Sequence, residues 1–134
     1  MIRHLVQKIQ RTRMLQRISF AMARAAATAP LRRLNATRPD TWEFSGFSQN
    51  GEDGIIDFLV QQVADPNRYF GEIGASDGVE NNTAWLALGR RYSGIMVEGS
   101  ERLVALAGLI FPSLNHGVDF RCLFVDKEYV AVLR

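Results

Sequence analysis

The chain has one cysteine, Cys122, in 134 residues. An internal disulfide is therefore excluded, which fits a reducing, cytoplasmic setting. Its two histidines, His4 and His116, stand far apart, and a metal site needs more ligands than a lone imidazole, so none is expected. No apolar run reaches the roughly 18 residues of a membrane-spanning helix, so no transmembrane segment is expected. The N-terminus lacks the compact apolar run and small-residue cleavage site of a secretory signal. Most telling is the missing negative charge: residues 1–39 hold nine Lys/Arg and no acid. The other seven Lys/Arg and all 14 acids follow. Such asymmetry marks a basic arm on an acidic domain.

Ile2, Leu5, Val6 and Ile9 recur at helical spacing, and Leu15, Ile18 and Met22 resume the stripe after a slip. This predicts a basic amphipathic helix over 2–28, ended by Pro30. Residues 29–48, with Pro30 and Pro39, read as a linker. The stripe is expected to pack on the domain or a partner. The arm's composition also resembles an organellar presequence, and it suits an anionic membrane surface. Phe20 is its only aromatic, and no recognition motif accompanies it, so nucleic acid is not an expected partner. The domain organisation expected is 1–39, basic helix and linker, and 40–134, an α/β domain.

Ile55, Ile56, Leu59, Val60 and Val63 define one face of a helix over 52–63, and Asp65-Pro66-Asn67 is a turn signal. Strands then alternate with helices: strands at 69–73, 94–98 and 118–125, helices at 82–90 and 100–111, the last stopped by Pro112. That rhythm predicts right-handed crossovers and a parallel sheet. Cys122, in an apolar strand, reads as core, and Trp42 and Trp85 read as packing residues.

The segment Tyr69–Thr83 carries the chemistry. An apolar strand bearing Glu72 runs into a turn bracketed by Gly74 and Gly78, with Ala75, Ser76 and Asp77 between them. Glycine lacks Cβ and permits both the turn and close ligand approach. The helix opening near Asn82 is expected to aim free N–H groups at the same crevice. Glu98, ending the next strand, holds the position that accepts ribose hydroxyls in doubly wound folds. The dinucleotide fingerprint Gly-x-Gly-x-x-Gly is broken by Ser76. Glu72 would also repel a diphosphate. A nucleoside cofactor with a positive sulfonium and an amine suits the site better.

Phe47-Ser-Gln-Asn-Gly-Glu-Asp-Gly-Ile55, Phe70-Gly-Glu-Ile-Gly-Ala-Ser-Asp-Gly78, Asn82-Thr83 and Gly94-Ile-Met-Val-Glu-Gly-Ser100 together resemble the FkbM-type methyltransferases, with a weaker continuation into the third strand. These belong to the class I S-adenosylmethionine-dependent enzymes. The resemblance implies a Rossmann-like sheet; with the elements read above, the expected fold is α/β, a partial Rossmann-like parallel sheet of about three strands with flanking helices and an N-terminal basic helix. It implies bound S-adenosylmethionine and methyl transfer, usually to a hydroxyl of a small molecule or sugar. By position, Glu72, Gly74, Ala75, Ser76, Asp77, Gly78, Thr83 and Glu98 would bind the cofactor, and Gln49 and Glu52 would close over it. No residue is identified as a catalytic base.

A full class I sheet places a fourth strand beside the first and continues beyond it. Here the segment Phe120–Arg134 reads as the third-strand region and then stops, so a truncated domain is expected. Its first strand would be an open edge, a surface for a protein partner or self-association. The alternative function is a non-catalytic fragment or partner-binding chain that keeps only the cofactor half-site.

Overall fold

The computed structural model describes residues 1–126. The expected ends of the 40–134 domain and of the third-strand region lie outside them. The architecture is α/β. Helix α1 (Ile2–Thr28) is followed by short 3₁₀ turns at Ala29–Leu31 and Pro39–Thr41, then by α2 (Glu52–Gln62). Next come β1 (Tyr69–Ile73), a π-turn (Trp85–Gly89), β2 (Ser93–Glu98), α3 (Glu101–Gly108), α4 (Phe111–Leu114) and β3 (Val118–Cys122). The three strands form one parallel sheet in the order β1-β2-β3. Tyr69 pairs with Ser93, and Gly94 with Val118, which sets the register of each ladder.

Side chains alternate across a sheet, and this register separates two different faces. Phe70, Met96, Val118 and Phe120 share the face that meets the helices. Met96, Ile110 and Phe111 are fully buried there. Burial of each such side chain is worth about 1.5–3 kcal/mol. The opposite face carries Ile73, Ile95 and Val97, and Ile73 remains 64% exposed. Among the described residues β1 is an open edge, as its sequence context predicts.

The second half of α1 joins the same core through Met14, Ile18 and Ala21. The stretch 29–48 is a packed strap rather than a loose linker. Trp42, Phe44 and Phe47 are buried in it, Trp42 stacks on Phe58 at 4.1 Å between centroids, and Arg32 lies over the Phe44 ring at 4.6 Å.

The α2 expectation needs correction. Its buried positions are Asp53, Gly54 and Asp57, while Leu59 and Val63 are exposed. Two carboxylates can occupy this face because each meets donors. Asp53 Oδ2 accepts the backbone N–H groups of Gly46, Phe47 and Ser48 at 2.6, 2.6 and 3.1 Å. Asp57 accepts Trp85 Nε1–H at 2.8 Å and Arg90 Nε–H at 2.5 Å, and Arg32 lies 3.5 Å away. Gly54 lets the strap pass: a Cβ there would lie 2.1 Å from the Trp42 carbonyl oxygen.

Three other expectations change. The helix expected at 82–90 is a single π-turn, with Arg90 N–H donating to the Trp85 carbonyl. Asn81 Oδ1 accepts the Thr83 N–H at 3.1 Å and holds the chain in a turn before it. The helix expected at 100–111 breaks after Gly108, and Pro112 lies in the first turn of α4 instead of ending a helix. Proline is tolerated there because that N–H has no helical partner to lose. Cys122 is exposed, not core, because it sits at the carboxyl end of the sheet, level with Glu98 and beyond the core side chains.

Candidate functional site

The glycine turn folds back over the sheet's carboxyl end. The N–H groups of Gly74 and Ala75 both donate to the Val97 carbonyl, at 2.8 and 3.0 Å. Gly74 has φ +77°, and a Cβ built there meets nothing within 4 Å, so its Cα faces open space. Ser76 also takes the left-handed conformation, at φ 55°. This is the position at which the dinucleotide fingerprint has its second glycine, there for close approach by a diphosphate, which the serine side chain would hinder. Gly78, at φ +82°, is needed for space as well: a Cβ would lie 2.6 Å from Phe111 and Phe120.

Glu98 joins the two halves of the crevice. Its Oε2 accepts the Ser76 N–H and its Oε1 the Ser100 N–H, both at 2.9 Å. Each carboxylate oxygen can accept a second hydrogen bond, so Glu98 retains capacity for a ligand hydroxyl. Around it lies a cavity of about 410 Å³, lined by Ile73, Gly74, Glu98, Gly99, Leu123 and Phe124. Phe124 is 80% exposed and lies against Gly99, where a Cβ would meet its ring at 3.0 Å. The lining therefore offers a bare backbone, a carboxylate and an aromatic face. A neighbouring apolar cavity of about 610 Å³ spreads over the uncovered sheet face, lined by Gly71, Ile73, Ile95 and Val97.

The expected site residues divide. Gly74 and Glu98 line the crevice, and Ser76 braces Glu98. Ala75 is fully buried and supports the turn. Asp77 turns away, pairing with Arg17 of α1 at 2.5 Å and accepting the Val79 N–H at 3.2 Å. Gly78 is interior. Glu72 points toward the residues before the π-turn. Burial pushes its carboxyl above the usual range, while hydrogen bonds from the Thr83 hydroxyl and the backbone N–H groups of Asn82 and Thr83 pull the other way. Glu72 thus lies beside Asn82 and Thr83, whose own N–H donates to Asn81 Oδ1, and it does not line the crevice around Glu98.

Gln49 donates to Glu80 at 2.7 Å, and Glu52 accepts the Asn50 N–H at 2.7 Å. These contacts fasten the 47–55 segment to the loop around Glu80 and to itself. Gly99 and Phe124 are crevice residues that the motif reading missed. Phe124 gave no signal, because the third strand was expected to run through it to 125, whereas β3 ends at Cys122. Among the described residues no group of three or more His, Cys, Asp or Glu could hold a metal ion, and no helix is long and apolar enough to cross a membrane. No protein family, curated protein or solved structure matches the chain.

Proposed function

We propose that this chain carries the nucleoside-binding half of an S-adenosylmethionine-dependent methyltransferase of the FkbM type. The observation that carries the reading is Glu98, braced by the Ser76 and Ser100 N–H groups beside the open Cα of Gly74. Ligands of open α/β sheets bind at the carboxyl ends of the strands. An acid at the end of β2 would accept ribose hydroxyls. Gly74 would admit the sugar closely, and Phe124, lying against Gly99, offers a face on which a base can stack. The cofactor supplies an electrophilic methyl group, and the expected acceptor is a small-molecule or sugar hydroxyl.

The fit is better for the adenosine end than for the amino acid end. Asp77 is engaged by Arg17, and neither Asp77 nor Glu72 lines the crevice around Glu98, so an ammonium there meets neither carboxylate. The acceptor side would be completed at the β1 edge, by further strands of the same polypeptide or of a partner. A second reading, a partner-binding chain that keeps only the half-site, is favoured by that edge and the apolar face beside it, where Tyr69 and Ile73 are exposed.

Calorimetric titration with S-adenosylhomocysteine separates the two. Saturable binding that Glu98→Ala weakens supports the cofactor site. No binding by a folded chain leaves the partner-binding reading.

A further inference from the structure

Helix α1 is two helices in function. From Met14 onward it belongs to the domain: Met14, Ile18, Ala21 and Ala25 are buried, Arg17 pairs with Asp77, and Arg24 donates to the Gly46 carbonyl at 2.7 Å. Before Met14 every residue is exposed except Gln10, which is partly buried. In this outer half Ile2 is 78% exposed, Leu5 59%, and Val6 and Ile9 45% each. At about 100° per residue these four side chains share one narrow face, and Phe20, 72% exposed, continues it. The same geometry sets that stripe roughly 140° around the axis from the face formed by Met14, Ile18, Ala21 and Ala25. The slip seen in the sequence is this change of face. The domain that grips the inner half cannot reach the outer stripe.

Charge decides what covers it. Arg3, Lys8, Arg11 and Arg13 make no ion pair among the described residues. Arg3, Lys8 and Arg11 lie on the face opposite the apolar stripe, and Arg13 lies at the stripe's inner end, where a long stem lets the guanidinium reach outward. A second copy of α1 would bring the same four cations and no acid to neutralise them. Nucleic acid would satisfy the cations but leave Ile2, Leu5, Val6, Ile9 and Phe20 in water. An anionic bilayer surface satisfies both, taking the apolar face into the acyl boundary and the cations at the headgroups.

We propose that the outer half of α1, residues 2–13 with Phe20, is a membrane-surface anchor that selects anionic lipid. The anchor lies in the plane of the interface and does not span it. The inner half, through Arg17 on Asp77, connects it rigidly to the glycine turn.

The test is flotation of the full chain with vesicles of phosphatidylglycerol and phosphatidylcholine, compared with phosphatidylcholine alone. Two variants probe the two halves of the argument: Leu5→Gln with Ile9→Gln, and Arg3→Gln with Lys8→Gln. All four positions are exposed, so circular dichroism and thermal unfolding should match the parent. The proposal expects binding to the mixed vesicles, little to the neutral ones, and a fall of about tenfold or more in partitioning for each variant. High salt should weaken the parent's binding. Absence of binding to mixed vesicles overturns it, as does equal binding to neutral ones. A dimer in solution that the Leu5/Ile9 variant dissolves would assign the stripe to a second copy instead. Salt-sensitive DNA binding that this variant leaves intact, without vesicle binding, would assign the cations to nucleic acid.

Discussion

The backbone N–H of Ser76 donates to the carboxylate of Glu98 at 2.9 Å, across 22 residues of sequence. One hydrogen bond thus ties the turn after β1 to the end of β2, and it fixes the carboxylate beside the crevice. Glu98→Ala should lower affinity for S-adenosylhomocysteine by about 1–3 kcal/mol, the scale of a lost hydrogen bond to a charged group. Calorimetry of the two proteins checks this, and unchanged affinity would remove Glu98 from the site.

Asp57 is the strongest structural prediction. It is 2% exposed and accepts from the partly buried Trp85 and from Arg90, so Asp57→Ala removes the acceptor of both. Unfolding in urea should show a loss of about 1–3 kcal/mol. Burial pushes the Asp57 carboxyl upward, but the hydrogen bonds from Arg90 and Trp85 and the charges of Arg90 and Arg32 outweigh it and hold it below the ordinary range. Its stabilisation is therefore complete above the unfolded value of about 3.9 and is lost as pH falls through the lower folded value. Urea titrations across acid pH should show this loss in the parent and not in Asp57→Asn.

Glu72 has the opposite sign. Burial raises its folded value, so its ionised form works against folding, and the penalty is relieved as pH falls through that raised value toward the ordinary glutamate value. Glu72→Gln should raise the melting temperature at neutral pH. The gain should shrink as pH falls and vanish below the ordinary glutamate value of about 4.3, where the side chain is neutral in both folded and unfolded states. A variant less stable than the parent at neutral pH would mean that the bonds to Asn82 and Thr83 outweigh the burial cost.

Gly54 is held by the strap. A methyl group there would overlap the Trp42 carbonyl oxygen and the Phe44 nitrogen, at 2.1 and 2.2 Å, and both are backbone atoms. Gly54→Ala should cost about 3 kcal/mol, the upper end for overpacking, although alanine is the better helix former. Equal stability in thermal melts would show that the strap can move aside.

The sheet was legible because its signals are local. The apolar run Tyr69–Ile73 is β1 as expected, and β2 gains only Ser93. Helix α1 likewise runs to Thr28, just short of Pro30. What was not legible depends on distant partners. Asp53 and Asp57 look like solvated helix charges until the strap's N–H groups, Trp85 and Arg90 meet them. Asp77 looks like a ligand residue in its motif, and its partner Arg17 lies 60 positions earlier. The π-turn was hidden because its residues, Trp85–Gly89, suit a regular helix by composition alone.

The central claim is that adenosine binds between Gly74, Glu98 and Phe124. The most direct measurement is an amide NMR titration of the isotopically labelled chain with S-adenosylhomocysteine. Saturating shifts at Gly74, Ser76, Glu98, Gly99 and Phe124, with the Asp53 and Asp57 surroundings unmoved, are the predicted result. No shifts in a well-folded chain, or shifts confined to the surroundings of Arg17 and Arg24 on α1, would contradict the claim.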